Sequence, residues 1–219
     1  MTRLIVFDCD GTLVDGQAAI CETMEQAFVA VGLPAPERAA VRRIVGLSLP
    51  QALSRLAPDT DDTTRAQVIE AYKTHYRERR TSGRLEEPLY EGIDPLLRHL
   101  HAGSKLLGVA TGKSDRGLQA CLASHGLTQL FTTLQTADRH PSKPHPAMLH
   151  EAMDEAGAAP HDTVMIGDTT FDIAMARAAG TRAIGVAWGY HDPAELLDAG
   201  ADQVARNVAE LGAMVGGWD

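Results

Sequence analysis

Two aspartates near the start of the chain have the spacing of a catalytic pair. Asp8 and Asp10 follow directly on the apolar run Leu4 to Phe7 and precede Gly11 and Thr12. Because residues two apart in an extended chain point to the same side, both carboxylates can face one pocket. One carboxylate can then act as a nucleophile while the other transfers a proton. Aspartate and glycine are also common turn residues, so this segment alone is equally typical of a polar turn after a strand.

A second pair of aspartates follows another apolar run, Thr163 to Ile166. Asp168 lies just beyond that run, and Asp172 lies in the first turn of the next helical pattern, where an acidic side chain also complements the helix dipole. If this pair converges with Asp8 and Asp10, four negative charges share one site. Such a cluster is unfavourable without a hard cation that prefers oxygen ligands. The four aspartates therefore predict a Mg²⁺ site.

Groups that could bind an anion occur in two other segments. The apolar run Leu106 to Ala110 leads into Thr111 and Gly112, which offer a hydroxyl group and backbone N–H groups where a helix begins. Because Mg²⁺ offsets only part of the carboxylate charge, a phosphate group needs a further cation. Lys143 lies in a loop that prolines stiffen before a helix, which favours a fixed ammonium group. We therefore predict that Thr111, Gly112 and Lys143 bind phosphate.

The elements that must position these side chains are short strands that alternate with helices. Apolar runs typical of buried strands are Leu4 to Phe7, Leu106 to Ala110, Thr163 to Ile166 and Ala183 to Val186. Helical patterns such as Pro146 to Ala156 and Phe171 to Ala179 lie between them. This alternation indicates right-handed crossovers and an α/β fold with a doubly wound, Rossmann-like parallel sheet. Its ligand site should lie beyond the carboxyl ends of the strands.

Residues 16–85 interrupt the alternation. Three helical patterns occur there with no strand pattern between them: Ala18 to Val31, Leu49 to Leu56 and Arg65 to Arg80. We predict a helical insertion at residues 16–85 and a core domain formed by residues 1–15 and 86–219. A length of 219 residues suits one core domain with one smaller insertion.

Composition argues against several classes of partner. The net charge of −9 repels nucleic acid and anionic lipid, so an anionic ligand needs a local pocket of positive charge. No segment is apolar over the length that a bilayer requires, and the N-terminus lacks a charged-then-apolar signal layout. The cysteines, Cys9, Cys21 and Cys121, are odd in number and lack C-x-x-C spacing, which favours a reducing compartment. The sequence predicts a cytoplasmic protein that binds neither nucleic acid nor a membrane.

Together, the four polar segments resemble the motifs of the haloacid dehalogenase-like hydrolase superfamily, in the branch that contains phosphoglycolate phosphatases and β-phosphoglucomutases. The matching positions occur in the family's order: Asp8 to Thr12, Thr111, Lys143, and Gly167 to Asp172. The resemblance spans nearly the whole chain. In this branch a helical cap is inserted between the first two motifs, so the resemblance implies that the helical insertion covers the pocket.

The resemblance also implies a reaction and a role for each aspartate. Asp8 would be the nucleophile of a Mg²⁺-dependent phosphatase and would form an aspartyl phosphate that water then opens. Asp10 would protonate the leaving oxygen and later accept a proton from the attacking water. Asp8, Asp168 and the backbone carbonyl of Asp10 would coordinate Mg²⁺, and Asp172 would support the metal or Lys143.

Substrate recognition is expected from the segment that joins the first helices of the insertion. In relatives this segment faces the core pocket, so Arg43, Gly46 and Ser48 are candidate substrate contacts, although Ser48 could instead cap the next helix. The arginines between residues 77 and 80 are expected to lie on an exposed helix end. Phosphoglycolate is the leading substrate, because a small acidic ester suits a compact pocket that contains an arginine.

The motifs leave other activities of the same fold open. A phosphosugar mutase would use the same core and return the phosphate to a sugar. A dehalogenase typically lacks the second aspartate, here Asp10, and a phosphonate-cleaving relative would place a Schiff-base lysine in its cap, where Lys73 instead has an exposed-helix pattern. A non-catalytic phosphate-binding protein is a third alternative. The presence of Asp8, Lys143 and Asp168 argues against it, because a binding protein has little use for a nucleophile.

Overall fold

The computed structural model describes residues 3–216, so the ends of the predicted core domain, residues 1–2 and 217–219, lie outside the described residues. Its strands are β1 (Leu4–Phe7), β2 (Leu106–Thr111), β3 (Thr133–Thr136), β4 (Thr163–Gly167), β5 (Arg182–Val186) and β6 (Gln203–Ala205). All pairings are parallel, and the six strands form one sheet in the order β3-β2-β1-β4-β5-β6. The predicted doubly wound α/β fold is confirmed.

The first four helices follow β1 and form the helical insertion. They are α1 (Gln17–Ala30), α2 (Arg38–Arg42), α3 (Leu49–Leu56) and α4 (Asp62–Thr81). The remaining helices are α5 (Ile93–Ala102), α6 (Asp115–Ser124), α7 (Ala147–Ala156), α8 (Thr170–Ala179), α9 (Pro193–Asp198) and α10 (Val208–Gly216). Within residues 3–216, no helix combines the length and the apolar character needed to cross a bilayer.

The core domain buries both faces of the sheet. Ile5 and Phe7 of β1 belong to the hydrophobic cluster that includes residues of α5, α6 and α10. Leu4 and Val6 point to the opposite face and belong to the cluster that includes residues of α7 and α8. Both faces of β1 are covered by helices, which explains why its sequence is continuously apolar rather than alternating.

The helical insertion has a hydrophobic cluster of its own. Met24 and Phe28 of α1, Leu53 of α3 and Val68 of α4 belong to it, and Phe171 of the core packs into the same cluster. The insertion therefore folds around its own apolar side chains while resting on the carboxyl edge of the sheet. Its predicted limits at residues 16 and 85 stay a prediction.

Candidate active site

The register of the central strands brings the predicted site residues to one edge of the sheet. Phe7 of β1 pairs with Val109 of β2 and with Ile166 of β4. The residues that follow these positions, including Asp8 and Asp168, therefore leave the sheet side by side. Parallel strands place their carboxyl ends at the same edge, which is where open α/β sheets bind ligands.

Three of the four predicted aspartates form a buried cluster. Asp8, Asp168 and Asp172 each offer a carboxylate oxygen within 4.8 Å of the others, and all three side chains are buried. Asp168 is fixed from two sides, since it accepts hydrogen bonds from the Thr12 hydroxyl at 2.8 Å and from the Tyr190 backbone N–H at 2.9 Å. The cluster thus has a rigid geometry.

Lys143 lies between two of these carboxylates. Its ammonium group is 2.8 Å from Asp8 Oδ1 and 2.6 Å from Asp172 Oδ1, and the side chain is fully buried. The other oxygen of Asp172 accepts hydrogen bonds from the backbone N–H and the hydroxyl of Thr169, which forms a capping box at the start of α8. Asp172 is therefore engaged in holding Lys143 and the start of α8.

Burial controls the protonation of this cluster. It raises the pKa of Asp8 to about 7, although Lys143 opposes the shift. Burial and the negative charges of Asp8 and Asp172 raise the pKa of Asp168 well above its usual range. Burial alone would lower the pKa of Lys143, but Asp172 and Asp8 raise it above its usual value. The lysine is therefore charged, while the carboxyl groups lack sufficient positive charge around them.

The chemistry of this cluster fits Mg²⁺. Asp8 Oδ2 is buried and has no hydrogen-bond partner among the described residues. A buried carboxylate oxygen without a partner is costly unless a cation binds it. Asp8, Asp168 and Asp172 supply only hard oxygen ligands, and Lys143 offsets one of their charges. Residues of this kind bind Mg²⁺ rather than a soft metal.

Gly11 allows the chain to turn sharply after Asp10 while it passes close to Asp168. Its φ is +84°, and a Cβ atom at this position would lie 2.2 Å from Asp168 Oδ2. A side chain there would displace Asp168 in addition to straining the backbone. The glycine of the first motif is thus needed for the position of an aspartate that lies far along the chain.

The Asp10 carboxylate lies outside the cluster of Asp8, Asp168 and Asp172 and is paired elsewhere. Its Oδ1 atom is 3.0 Å from the ammonium group of Lys113, which also forms an ion pair with Glu87. The hydroxyl of Tyr76, on α4, donates a hydrogen bond to Glu87 Oε1 at 2.6 Å. Neither Lys113 nor Glu87 was among the site residues predicted from the sequence. The position of Lys113 two residues after Thr111 was an available signal, whereas no local pattern marks Glu87.

The predicted anion-binding corner follows β2. Thr111 is buried, and its hydroxyl accepts a hydrogen bond from the Lys113 backbone N–H at 3.2 Å. A Cβ atom on Gly112 would lie 2.5 Å from the carbonyl oxygen of Leu47 and 2.8 Å from that of Gly46. Gly112 therefore permits the backbone of the insertion to approach the corner closely.

A cavity of about 730 Å³ lies between the insertion and this edge of the sheet. Its lining includes Asp10, Gly46, Arg80, Gly112 and Lys113. Its size is typical of small-molecule sites. Asp10 reaches this cavity, whereas Asp8 is fully buried. The nucleophile candidate therefore does not line the cavity in this structure.

Two expectations about arginines are corrected. Arg43 does not reach the cavity with Gly46; its guanidinium pairs with Glu195 at 2.6 Å on the surface, and 53% of its side chain is exposed. Arg80 was expected on an exposed helix end, but it is half-buried and lines the cavity. Ser48 accepts no capping hydrogen bond; its backbone N–H donates to the Ser142 hydroxyl at 2.8 Å. The orientation of the insertion, which no local pattern encodes, decides all three positions.

Comparisons with known proteins agree with this arrangement. A family model described as haloacid dehalogenase-like hydrolase matches residues 5–186. A protein of Dickeya dadantii described as "Probable phosphatase IndB" is 34% identical over 214 residues, which cover 96% of this chain and 92% of the relative. A phosphoglycolate phosphatase of Vibrio vulnificus is 30% identical over 217 residues and covers 95% of this chain and 94% of its own length.

A solved structure shares the whole fold. A haloacid dehalogenase-like family hydrolase from Streptococcus pneumoniae superimposes with a TM-score of 0.85 at 27% identity. The match covers 97% of each chain, so it includes the helical insertion as well as the sheet.

Proposed function

The chain belongs to the haloacid dehalogenase-like hydrolase family and is a phosphatase of that family, and on this premise we propose that it hydrolyses a small organic phosphate monoester with Mg²⁺ through an aspartyl phosphate on Asp8. One observation supports the proposal above all others. Asp8 Oδ2 is buried without a hydrogen-bond partner in the described chain, while Oδ1 lies 2.8 Å from Lys143. This carboxylate is arranged to meet a cation and an electrophile rather than to stabilise the fold.

Asp8 attacks phosphorus in the first step of the proposed reaction. Attack by a carboxylate divides a difficult hydrolysis into two easier steps, because the resulting acyl phosphate is open to water. Lys143 neutralises Asp8 beforehand and has one further N–H bond that can hold a phosphoryl oxygen as charge moves onto it. The Thr111 hydroxyl and the Gly112 N–H are proposed to bind the remaining oxygens.

Asp10 is proposed to move the protons. It lines the cavity, outside the metal cluster, where it can reach the leaving oxygen and later the attacking water. Burial raises its pKa although Lys113 opposes the shift, and the raised pKa favours the protonated form needed to donate to the leaving group. Asp8 and Asp10 thus divide nucleophilic and acid–base roles between two carboxyl groups with different surroundings.

Mg²⁺ is the proposed cofactor, held by Asp8, Asp168 and the backbone carbonyl of Asp10, with Asp172 alongside. When bound, it supplies positive charge that screens the phosphate group and the carboxylates from one another. Asp172 is proposed to act mainly on Lys143, because Lys143 and Thr169 already occupy its two oxygens.

Phosphoglycolate is the leading candidate substrate, and Arg80 is the proposed selectivity residue in place of Arg43. Arg80 extends from α4 into the cavity, and its guanidinium carbon lies 5.8 Å from the centre of the Tyr76 ring. A cation held there can bind a carboxylate on the organic part of the ester. The Vibrio vulnificus relative that bears the name phosphoglycolate phosphatase supports this choice.

The proposed setting is the cytoplasm. Cys9, Cys21 and Cys121 are free and buried, as is usual for a protein kept in a reducing compartment. A small phosphate ester would be the partner in solution, because the net charge of −9 is unsuited to nucleic acid.

Phosphate release from a panel of small esters tests the proposal. The panel includes phosphoglycolate, neutral alkyl phosphates and phosphosugars, each with Mg²⁺ and with EDTA, and Asp8→Asn is run in parallel to expose contaminating phosphatase. We expect Mg²⁺-dependent release that Asp8→Asn abolishes. An enzyme that isomerises a phosphosugar without net release would overturn the hydrolase in favour of a mutase, and ligand binding without either reaction would overturn catalysis.

Arg80→Ala tests the choice of substrate, with Arg43→Ala as the matched arginine control outside the cavity. We expect Arg80→Ala to lose at least about tenfold in kcat/KM for phosphoglycolate relative to a neutral ester, about the worth of one charge-assisted contact. Equal preference in Arg80→Ala and wild type would reject Arg80 as the selectivity residue.

A further inference from the structure

We propose that Lys113 is a positioning residue for Asp10, and that Glu87 and Tyr76 connect this lysine to helix α4 of the insertion. The inference rests on the proposed function, since it assigns a residue to the proton-transfer step. It concerns a group of side chains separate from the aspartates around Lys143.

The contacts form a continuous path from the insertion to Asp10. Tyr76 donates to Glu87 at 2.6 Å, Glu87 pairs with Lys113, and Lys113 lies 3.0 Å from Asp10 Oδ1. The Lys113 ammonium group also lies 5.6 Å from the centre of the Tyr76 ring. Each member comes from a different part of the chain: α4, the connection from α4 to α5, the end of β2 and the end of β1.

The path is buried enough for its charges to matter. The side chains of Lys113, Asp10 and Glu87 are 8%, 11% and 9% exposed. Ion pairs at this depth are screened little by solvent, and removal of one partner leaves a charge uncompensated. Lys113 is therefore a fixed charge between two carboxylates rather than a solvated side chain.

Lys113 determines where the Asp10 carboxylate points. The Asp10 carboxylate is not part of the cluster formed by Asp8, Asp168 and Asp172. Asp10 and Lys113 both line the cavity. A general acid acts only within hydrogen-bond reach of its proton acceptor, so the direction of this carboxylate decides the rate of the step. Lys113 keeps the Asp10 carboxylate at the cavity wall, where the leaving oxygen must lie.

The connection to α4 makes this position dependent on the insertion. Glu87 takes part in both contacts, so displacement of Tyr76 removes one of the groups that hold Glu87 on Lys113. Asp10 is thus held in its working direction when the insertion covers the cavity. The insertion contributes to the proton-transfer step without touching the reacting atoms.

A double-mutant cycle between Lys113 and Asp10 tests the inference. Lys113→Met, Asp10→Asn and the double variant are assayed with Mg²⁺ on p-nitrophenyl phosphate, whose good leaving group keeps the activity of Asp10→Asn measurable. We expect Lys113→Met to lower kcat by about 10- to 100-fold with KM changed by less than about threefold, because opening of the aspartyl phosphate still requires Asp10 to accept a proton from the attacking water whatever the leaving group. In the Asp10→Asn background the same substitution should change kcat by less than about threefold, because Lys113 acts through Asp10.

Two results would overturn the assignment. An equal loss of kcat in both backgrounds would mean that Lys113 acts independently of Asp10, and an unchanged kcat in Lys113→Met would mean that Asp10 needs no such support. Failure of the proposed function is distinguishable, because the wild type would then release no phosphate at all. Lys105→Met, which removes a lysine at the opposite edge of the sheet, is the matched control and should retain wild-type kcat.

Further variants keep the test decisive if Lys113→Met fails to fold. The cycle is then run with Lys113→Arg, which retains the charge and displaces it. Tyr76→Phe removes only the hydroxyl, which donates to Glu87 and accepts from the Lys113 ammonium group at 3.4 Å. We expect this variant to melt within a few degrees of wild type and to lower kcat by about two- to fivefold only where Asp10 is retained, because the hydroxyl acts on Asp10 indirectly. An equal effect of Tyr76→Phe in both backgrounds would break the proposed connection to α4.

Discussion

Two buried lysines, each between two carboxylates, divide the site into two regions. Lys143 lies between Asp8 and Asp172, and Lys113 lies between Asp10 and Glu87. Asp8 directly follows β1 and Asp172 lies in the first turn of α8, which follows β4, so both partners of Lys143 belong to the carboxyl edge of the sheet. Lys113 takes one partner from the end of β1 and the other from the connection that follows the insertion. The same chemical arrangement is thus used once within a rigid edge and once across a boundary between two parts of the fold.

The two regions differ in what a substitution should disturb. Around Lys143 the charges are fully buried, so stability and chemistry depend on the same contacts. Lys113, Asp10 and Tyr76 border the cavity, so chemistry should respond more than stability in this region. Variants that change stability and turnover by different amounts therefore test whether the two regions are distinct.

Lys143→Met should have the largest effect. It leaves Asp8 and Asp172 without their cation, and loss of one partner of a buried pair typically costs about 3–5 kcal/mol. We expect urea unfolding to show a loss of that size and phosphate release to be undetectable. Lys113→Met, measured in parallel, should lose less stability, because water in the cavity can hydrate the Asp10 carboxylate once the lysine is removed. Equal losses in the two variants would remove the distinction between the regions.

Gly11→Ala should have the second largest effect on stability, because the new side chain would disturb the region around Lys143 and leave the region around Lys113 in place. A Cβ atom would lie 2.2 Å from Asp168 Oδ2 in a backbone with φ of +84°. Gly83→Ala is the matched control, since Gly83 also has a positive φ, +69°, but no atom within 4 Å of a new Cβ. Chemical denaturation should show a loss of about 3 kcal/mol for Gly11→Ala and about 1 kcal/mol for the control. Similar losses of stability in the two variants would mean that Asp168 can move away from a new Cβ atom at little cost.

Gly112→Ala should disturb the boundary while sparing the core. The new Cβ would meet the carbonyl oxygens of Leu47 and Gly46, which belong to the insertion. A displacement of about 1 Å can cost about 100-fold in rate, so we expect kcat/KM to fall by about 10- to 100-fold. Amide hydrogen exchange should rise around residue 47 and stay unchanged in β1 and β4. Increased exchange in the strands would show that the two regions are not separable.

Arg43→Ala should have the smallest effect on turnover. The Arg43–Glu195 pair is exposed, and such pairs contribute little. We expect kcat/KM on every ester to stay within about threefold of wild type. A loss of kcat/KM confined to acidic esters would show that Arg43 contacts the substrate.

The same pair gives a pH dependence of definite sign. The hydrogen bond from Arg43 lowers the pKa of Glu195 to about 2. A lowered pKa in the folded state stabilises the fold above the unfolded pKa of about 4.3 and ceases to do so as the pH falls towards 2. The small difference in Tm between wild type and Arg43→Ala should therefore narrow as the pH is lowered through this range. A difference that widens would contradict the pairing.

The rigid region could be predicted from sequence because its geometry follows from strands. Apolar runs mark β1, β2, β4 and β5, and parallel pairing then brings Asp8 and Asp168 together whatever the loops do. The β3 strand was missed because its sequence, Thr-Leu-Gln-Thr, is polar and lies at the sheet edge. The β6 strand has only three residues at the other edge.

The region around Lys113, where the insertion meets the sheet, could not be predicted in the same way. Glu87 lies 26 residues before Lys113 in an irregular segment, and no periodic pattern relates the two. Arg43 was expected in the pocket and lies on the surface, whereas Arg80 was expected on the surface and lines the cavity. The direction in which the insertion faces the sheet decides both positions, and it depends on contacts between residues far apart in the sequence. Local sequence describes the helices of the insertion well and their placement poorly.

Burial of Asp8 gives the proposed catalytic cycle a mechanical component. Asp8 is fully buried, so the proposed reaction requires a movement that exposes it to an ester and to water. If the insertion makes that movement, the Ser48–Ser142 hydrogen bond and the close approach of Leu47 to Gly112 must separate. Such a displacement works against solvent friction, so we expect kcat to fall as the viscosity of the medium rises.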